Sequence, residues 1–236
     1  PECIVVAGGP HLPLTPAVEF CKETGYLDIL VHGEGEIVFA SLLQAILDST
    51  PLELVNGISL LYHGGALTTS PAVREPDLSK LPSPYLTGVF DGLIKLPYQW
   101  NASQETNRGC VYNCSFCSWG SALLSKVHRF PEQRLLDEME WFGDHRIELI
   151  YNADANFGMF PSDQLLVDRM VDIRNQSGGY PRQFRAAWAK NSNSRIFNIA
   201  TTLQKAGLGK GITLALQSLN PATLEAIKRT NIPFDN

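Results

Sequence analysis

TNRGCVYNCSFCSWG, residues 106–120, places three of the chain's five cysteines within eight positions, at Cys110, Cys114 and Cys117. The spacing is Cys-x3-Cys-x2-Cys, and Gly109 and Asn113 permit the tight turns that aim three sulfurs at one point. Thiolates gathered in this way hold zinc or an iron–sulfur centre. Structural zinc takes four protein ligands, and neither Cys3, in an apolar run expected to be a core strand, nor Cys21, on a helical pattern, is a natural fourth. Three ligands on a [4Fe–4S] cluster instead leave one iron open to a substrate or cosubstrate. A zinc knob and a set of purely structural cysteines are the competing readings. Clustered cysteines, odd in number, are unlike a secreted disulfide framework, so the expected compartment is the reducing cytoplasm.

Working outward, residues on both sides alternate between strand and helix patterns. Strands are expected over Trp100–Arg108, Ile147–Ala153, Phe184–Ala189 and Ile212–Gln217. Helices are expected over Glu132–Asp144, Ser162–Gln176, Ser194–Lys205 and Pro221–Arg229. Four βα units in succession predict part of a (β/α) barrel over residues 98–236, with its chemistry at the C-terminal ends of the strands. The cysteine stretch follows the first of those strands.

Upstream, CIVVAGGPH (3–11) reads as a buried strand meeting a turn, and Thr15 with Pro16 reads as the start of a helix ending near Gly25. LDILVHGEGE (27–36) repeats the pattern before a second helix over Glu36–Asp48. Strand, helix, strand, helix predicts a doubly wound, Rossmann-like sheet over residues 1–70. ISLLYHGGALTTS predicts a hairpin turning at Gly64 and Gly65. Residues 71–97 are punctuated by Pro71, Pro76, Pro82, Pro84 and Pro97, which predicts a linker.

Composition narrows the function classes. Apolar residues are 44% and charged ones 18% of 236, as in a packed globule. A net charge of −5 gives no footing for nucleic acid, and no apolar run reaches the roughly 18 residues of a membrane span. The first residue is Pro1, inside a strand-like run, and the last, Asn236, follows a helical pattern, so the chain reads as an excerpt of a longer protein.

CVYNCSFC resembles the Cys-x3-Cys-x-aromatic-Cys signature of the radical S-adenosylmethionine (SAM) enzymes, with Phe116 in the aromatic place. The resemblance implies that Cys110, Cys114 and Cys117 bind a [4Fe–4S] cluster whose open iron holds SAM. It also implies reductive cleavage of SAM to a 5′-deoxyadenosyl radical. In IYNADANFG (150–158) the family usually carries a Gly-Gly-Glu-like motif for the SAM amino group. Here the polar groups available are Asp154 and Asn156, which could equally form a turn capping the next helix. Lys190 ends the third strand, where it could meet an anion or stand in solvent. ALQS resembles the place where family members contact the SAM ribose or carboxylate, making Gln217 and Ser218 candidates, although Ser218 or Asn220 could simply cap the helix entered through Pro221.

The order of motifs resembles the cobalamin-binding branch of that family. Gly8-Gly9-Pro10-His11, then Gly33-Glu34-Gly35-Glu36, then the proline-rich segment, then RGCxxxCxxC follow one another. There the strand-end glycines imply close backbone approach to cobalamin. Glu36 could instead be an acid favoured by the helix dipole, and His11 is read as a turn or nucleotide-tail contact rather than a cobalt ligand. His32, His63, His128 and His145 show no ligand spacing. Trp119 and Trp188 could shape the barrel mouth or pack in the core. The resemblance implies a cobalamin-dependent radical SAM enzyme that methylates an unactivated carbon or a phosphorus, served by a reductase or flavodoxin-type electron donor. A rearrangement or cyclisation without methyl transfer, a relative that has lost cobalamin, and a zinc-stabilised module without catalysis are the alternatives.

Overall fold

In the computed structural model the described residues are 3–9, 12–13, 17–62, 65–117, 126–190, 194–209, 211–213 and 215–229. Pro10, His11, Thr15, Pro16, His63, Gly64 and Trp119, singled out above, lie outside them. The chain forms two compact units, Pro1–Pro76 and Asp77–Asn236.

The first unit is built on a four-stranded sheet in the order β1 (Val6–Gly8), β2 (Ile29–Val31), β3 (Ile58–Tyr62), β4 (Gly65–Thr68). β1 and β2 are parallel, as a βαβ crossover requires, and the other two pairings are antiparallel. β2 is an Ile-Leu-Val run buried throughout, because helices cover both of its faces. Leu30 packs with Ala17, Cys21 and Leu27 beneath α1 (Ala17–Thr24). Ile29 and Val31 pack with Val38, Leu42 and Ala45 of α2 (Gly35–Leu47). The expected double winding is therefore present around β2, and the β3–β4 hairpin forms as the alternating pattern predicts. Cys21 is a buried hydrophobe whose burial raises its thiol pKa. Cys3 is not the core residue expected of it: it lies exposed, ahead of β1.

The second unit holds a three-stranded parallel sheet, β5 (Asn101–Gln104), β8 (Leu149–Phe157), β9 (Gln183–Trp188), in that order. Helices α3 (Glu132–Asp144), α4 (Pro161–Gln176) and α5 (Ser194–Lys205) follow the apolar periodicity closely. Their inner faces meet Ala102, Ile150, Phe157 and Phe184 of the strands in one core, which includes Phe142, Val167, Met170 and Ile199. α3 and α4 approach so closely at Gly143 that a Cβ there would stand 2.2 Å from Ile173 Cγ2. A two-stranded ribbon, β6 (Asn107–Arg108) with β7 (His128–Arg129), is absent from the sequence reading; its antiparallel register pairs Arg108 with His128 and clasps the two ends of the cysteine segment.

Two expectations change. Residues 71–97 do not form one linker, since the division into units falls at 76/77. Leu78 and Leu81 are buried with Phe130, Leu135 and Leu166, and the Tyr85 ring packs edge-on against Phe142 at 4.8 Å. Prolines restrict φ without freeing a segment from the core. The fourth strand, Ile212–Gln217, is not formed among the described residues: Leu216 and Gln217 are exposed and no strand pairs there. A parallel strand needs a bonded neighbour and two covered faces, and β9 has no further partner among the described residues. Among the described residues the partial barrel thus shows three strands, and helix α6 is the shorter Pro221–Ala226.

Candidate functional site at the strand ends of the second unit

The segment carrying Cys110, Cys114 and Cys117 leaves the C-terminal end of β5 beside the C-terminal end of β8. Gly109 makes the turn into it with φ +111°, a value that side chains disfavour. Cys110 and Cys114 are 1% and 4% exposed, Cys117 is half-buried, and all three thiols are free. Cys117 N–H donates to Cys114 O at 3.2 Å, closing a turn of the kind that keeps its end Cα atoms within about 7 Å. Among the described residues no three His, Cys, Asp or Glu side chains converge closely enough to hold a single metal ion. A tetrahedral zinc with Zn–S bonds near 2.3 Å would need such convergence. Three free thiols, those of Cys114 and Cys117 on one turn and that of Cys110 met by a buried amide, are the donor chemistry that an iron–sulfur centre takes.

Two side chains of β8 fix the base of this segment. Asp154, 2% exposed, accepts from Thr106 N at 2.7 Å, Asn107 N at 3.2 Å, Asn107 Nδ2 at 3.0 Å and the Thr106 hydroxyl. Burial raises its pKa, and these hydrogen bonds offset that rise only in part. Asn156, 1% exposed, donates Nδ2 to Cys110 Sγ at 3.2 Å, while its Oδ1 is buried without a partner among the described residues. The two residues separate: Asp154 is committed to the chain just before the first cysteine, and Asn156 touches the cysteine itself. Neither caps the next helix. That task falls to Asp163, whose Oδ2 accepts from Gly158 N and Phe160 N at 2.9 Å each, and whose pKa burial pushes up to about 6.

The remaining candidates are placed as follows. Lys190, just beyond β9, stands with Nζ 5.8 Å from the Tyr112 ring centre, against the cysteine segment. Phe116 is 57% exposed. Ser218 Oγ accepts from Asn220 N, and Asn220 Oδ1 accepts from Thr223 N as the cap of α6, which assigns the capping role to Asn220. Trp188 packs on Phe157 with ring centres 5.9 Å apart, on the core side.

Sequence reading missed Arg229. It is 7% exposed, gives one Nη2 hydrogen bond to Ala215 O at 2.8 Å, and leaves Nε and Nη1 buried without partners among the described residues. Burying a guanidinium with idle donors is costly unless an anion meets it. Ser115 N–H donates to Ile227 O at 3.1 Å, so the chain around Arg229 is tied to the cysteine segment. An arginine ending an amphipathic helical pattern usually faces solvent, so the sequence carried no signal for it.

In the first unit, Gly8 ends β1, where a Cβ would lie 3.6 Å from Val31 O. Gly9 and Gly33 have φ +108° and +77°, and Glu34 pairs with Arg74 at 2.6 Å. Gly35 and Glu36 open α2. His32 bonds Ser59 Oγ at 2.7 Å, with its pKa lowered by burial.

No protein-family model matches the chain. It is similar to the cobalamin-dependent radical SAM methyltransferase TokK of Streptomyces tokunonensis, 44% identical over 241 residues that cover 100% of this chain and 35% of the relative. It is similar to the 2-(S-pantetheinyl)-carbapenam-3-carboxylate methyltransferase of Streptantibioticus cattleyicolor, at 43% identity with the same coverage. The chain spans about a third of the length of these relatives (35%). In fold it resembles the radical SAM methyltransferase TsrM of Kitasatospora setae, solved with cobalamin and a [4Fe–4S] cluster, with TM-score 0.65 at 20% identity over 96% of this chain and 44% of that one. It also resembles the cobalamin-dependent radical SAM enzyme OxsB, with TM-score 0.62 at 17% identity over 97% and 33%.

Proposed function

The chain belongs to the cobalamin-binding radical SAM family, and we propose that it serves the reductive cleavage of SAM and the methylation of an unactivated carbon. The observation that carries this is the set of free thiols Cys110, Cys114 and Cys117, with Asn156 bonded to Cys110 and the chain just before Arg229 bonded to Ser115. Cys110, Cys114 and Cys117 would hold the [4Fe–4S] cluster. When bound, the cluster supplies the electron for SAM cleavage, and cobalamin carries the methyl group.

The chain's own residues bind and orient. Arg229, with two idle buried donors, receives the SAM carboxylate. Asn156 Oδ1, a buried acceptor without a partner, receives the SAM amino group. Phe116 offers an exposed ring to the adenosyl moiety, and Gln217 and Ser218 lie on the segment that Arg229 reaches through Ala215. Lys190 adds positive charge beside the cysteine segment. Asp154 keeps that segment seated by four hydrogen bonds. In the first unit Gly8, Gly9, Gly33, Glu34, Gly35 and Glu36 form the cobalamin-facing strand ends, as in open α/β sheets generally; the cobalamin contacts expected of Pro10 and His11 lie outside the described residues. Electrons come from a flavodoxin-type or reductase donor. A carbapenam-type methyl acceptor is the first to test, given what the carbapenam methyltransferase relative acts on.

The test is anaerobic reconstitution with iron, sulfide and cobalamin, followed by electron paramagnetic resonance and product analysis with methyl-labelled SAM. A four-iron signal, deoxyadenosine and label in the acceptor are expected, all lost in Cys110→Ala, Cys114→Ala and Cys117→Ala. Bound zinc with no deoxyadenosine, or a fully active cysteine variant, overturns the reading.

A further inference from the structure

The three cysteines are not equivalent. Among the described residues Cys110 alone receives a side-chain N–H, from Asn156 Nδ2 at 3.2 Å. Both partners are 1% exposed, so water does not compete for that bond. The donor is also held in place. Asn156 stands near the end of β8, where the register with β9 is irregular between Asn152 and Phe157. Two residues earlier, Asp154 anchors Thr106 and Asn107, four and three residues before the same cysteine. The base of the cysteine segment and the amide are therefore fixed by one strand.

A thiolate sulfur bound to iron can only accept a hydrogen bond, and an N–H directed at it withdraws electron density. Such a bond stabilises the more negative, reduced state of an iron–sulfur cluster over the oxidised one, and hydrogen bonds to sulfur are among the levers that set cluster potentials. We propose that Asn156, through the Nδ2 end that does not face SAM, raises the reduction potential of the cluster by its hydrogen bond to Cys110, so that a donor of the flavodoxin class can deliver the electron. The step is a one-electron transfer from that donor to the cluster, with no bond made or broken at Asn156. The inference rests on the reading that Cys110, Cys114 and Cys117 hold a four-iron cluster.

The experiment is an equilibrium redox titration of the anaerobically reconstituted holoprotein, followed by electron paramagnetic resonance, in the parent, Asn156→Ala and Asn156→Asp. Loss of the donor is expected to shift the reduction equilibrium roughly tenfold toward the oxidised cluster, about 59 mV for one electron, with a further fall in the Asp variant. Pulsed resonance on the unaltered protein labelled with 15N in asparagine is a second arm that needs no variant; a coupling from the side-chain nitrogen to the reduced cluster is expected. An unchanged potential in a fully loaded Asn156→Ala protein, or no nitrogen coupling in the unaltered one, overturns this inference while leaving the function reading standing. Failure of the unaltered protein to assemble four irons removes the function reading, and this inference with it.

Discussion

Arg229 is the residue whose energetics most demand a ligand. A charged group with two buried donors idle raises the free energy of the fold until an anion arrives. Replacement by methionine removes both the cost and the site. Arg229→Met is expected to leave iron content unchanged and unfolding free energy no lower than the parent's. The same change should weaken SAM binding on the order of tenfold to a hundredfold, from loss of charge-assisted hydrogen bonds worth about 1.5–3 kcal/mol. Calorimetric titration with SAM, beside denaturant unfolding, checks both halves. Retained SAM affinity would assign Arg229 to structure alone. Asp154 stands at the other extreme: its acceptors are taken up by Thr106 and Asn107, so it contributes by seating the cysteines.

At the scale of the element, helix α4 starts on a carboxylate that titrates in an accessible range. Asp163 is 1% exposed and its pKa is pushed up to about 6, chiefly by burial. The folded chain therefore binds this proton more tightly than the unfolded chain, whose carboxyl titrates near about 4. Its contribution to stability is most favourable below about pH 4 and declines as pH rises through about 6. Asp163→Asn keeps an acceptor oxygen for Gly158 and Phe160 but cannot titrate. The stability of the parent relative to Asp163→Asn is expected to fall between pH 4.5 and 7, by an amount on the order of a few kcal/mol. Thermal unfolding across that range measures it, and a flat difference would show that Asp163 stays ionised throughout.

At the scale of the whole molecule, two units with separate cores predict separable cofactor sites. The core of the first unit is formed around β2 with α1 and α2, and that of the second around β8 with α3, α4 and α5. Cys114→Ala is thus expected to abolish iron binding while cobalamin retention stays within about twofold of the parent, an affinity change under 0.5 kcal/mol. Absorbance after reconstitution reports both cofactors. Limited proteolysis complements it. Val73, 93% exposed, lies just before the division at 76/77, whereas Leu78 and Leu81 are buried, so early cleavage should fall near Val73 and spare 78–81. Cleavage at 78–81 first would argue against that division.

The residue order alone determined the alternating strands and helices, the place of the cysteine turn after a strand, and the family. Apolar period and thiol spacing are local properties, and a 13-residue helix such as α3 emerges from them with its predicted bounds. The pairing of β6 with β7, the burial of 78–81, the failure of 212–217 to become a strand, and the different tasks of Asp154 and Asn156 were decided only in the folded chain. Each depends on what lies across space: a β-ladder needs a partner strand, and a linker needs solvent around it. Two polar residues with one neighbour between them acquire distinct chemistry only when one meets backbone amides and the other meets a sulfur. Arg229 follows the same rule, because the last residue of an amphipathic pattern is solvated or entombed according to what packs over it.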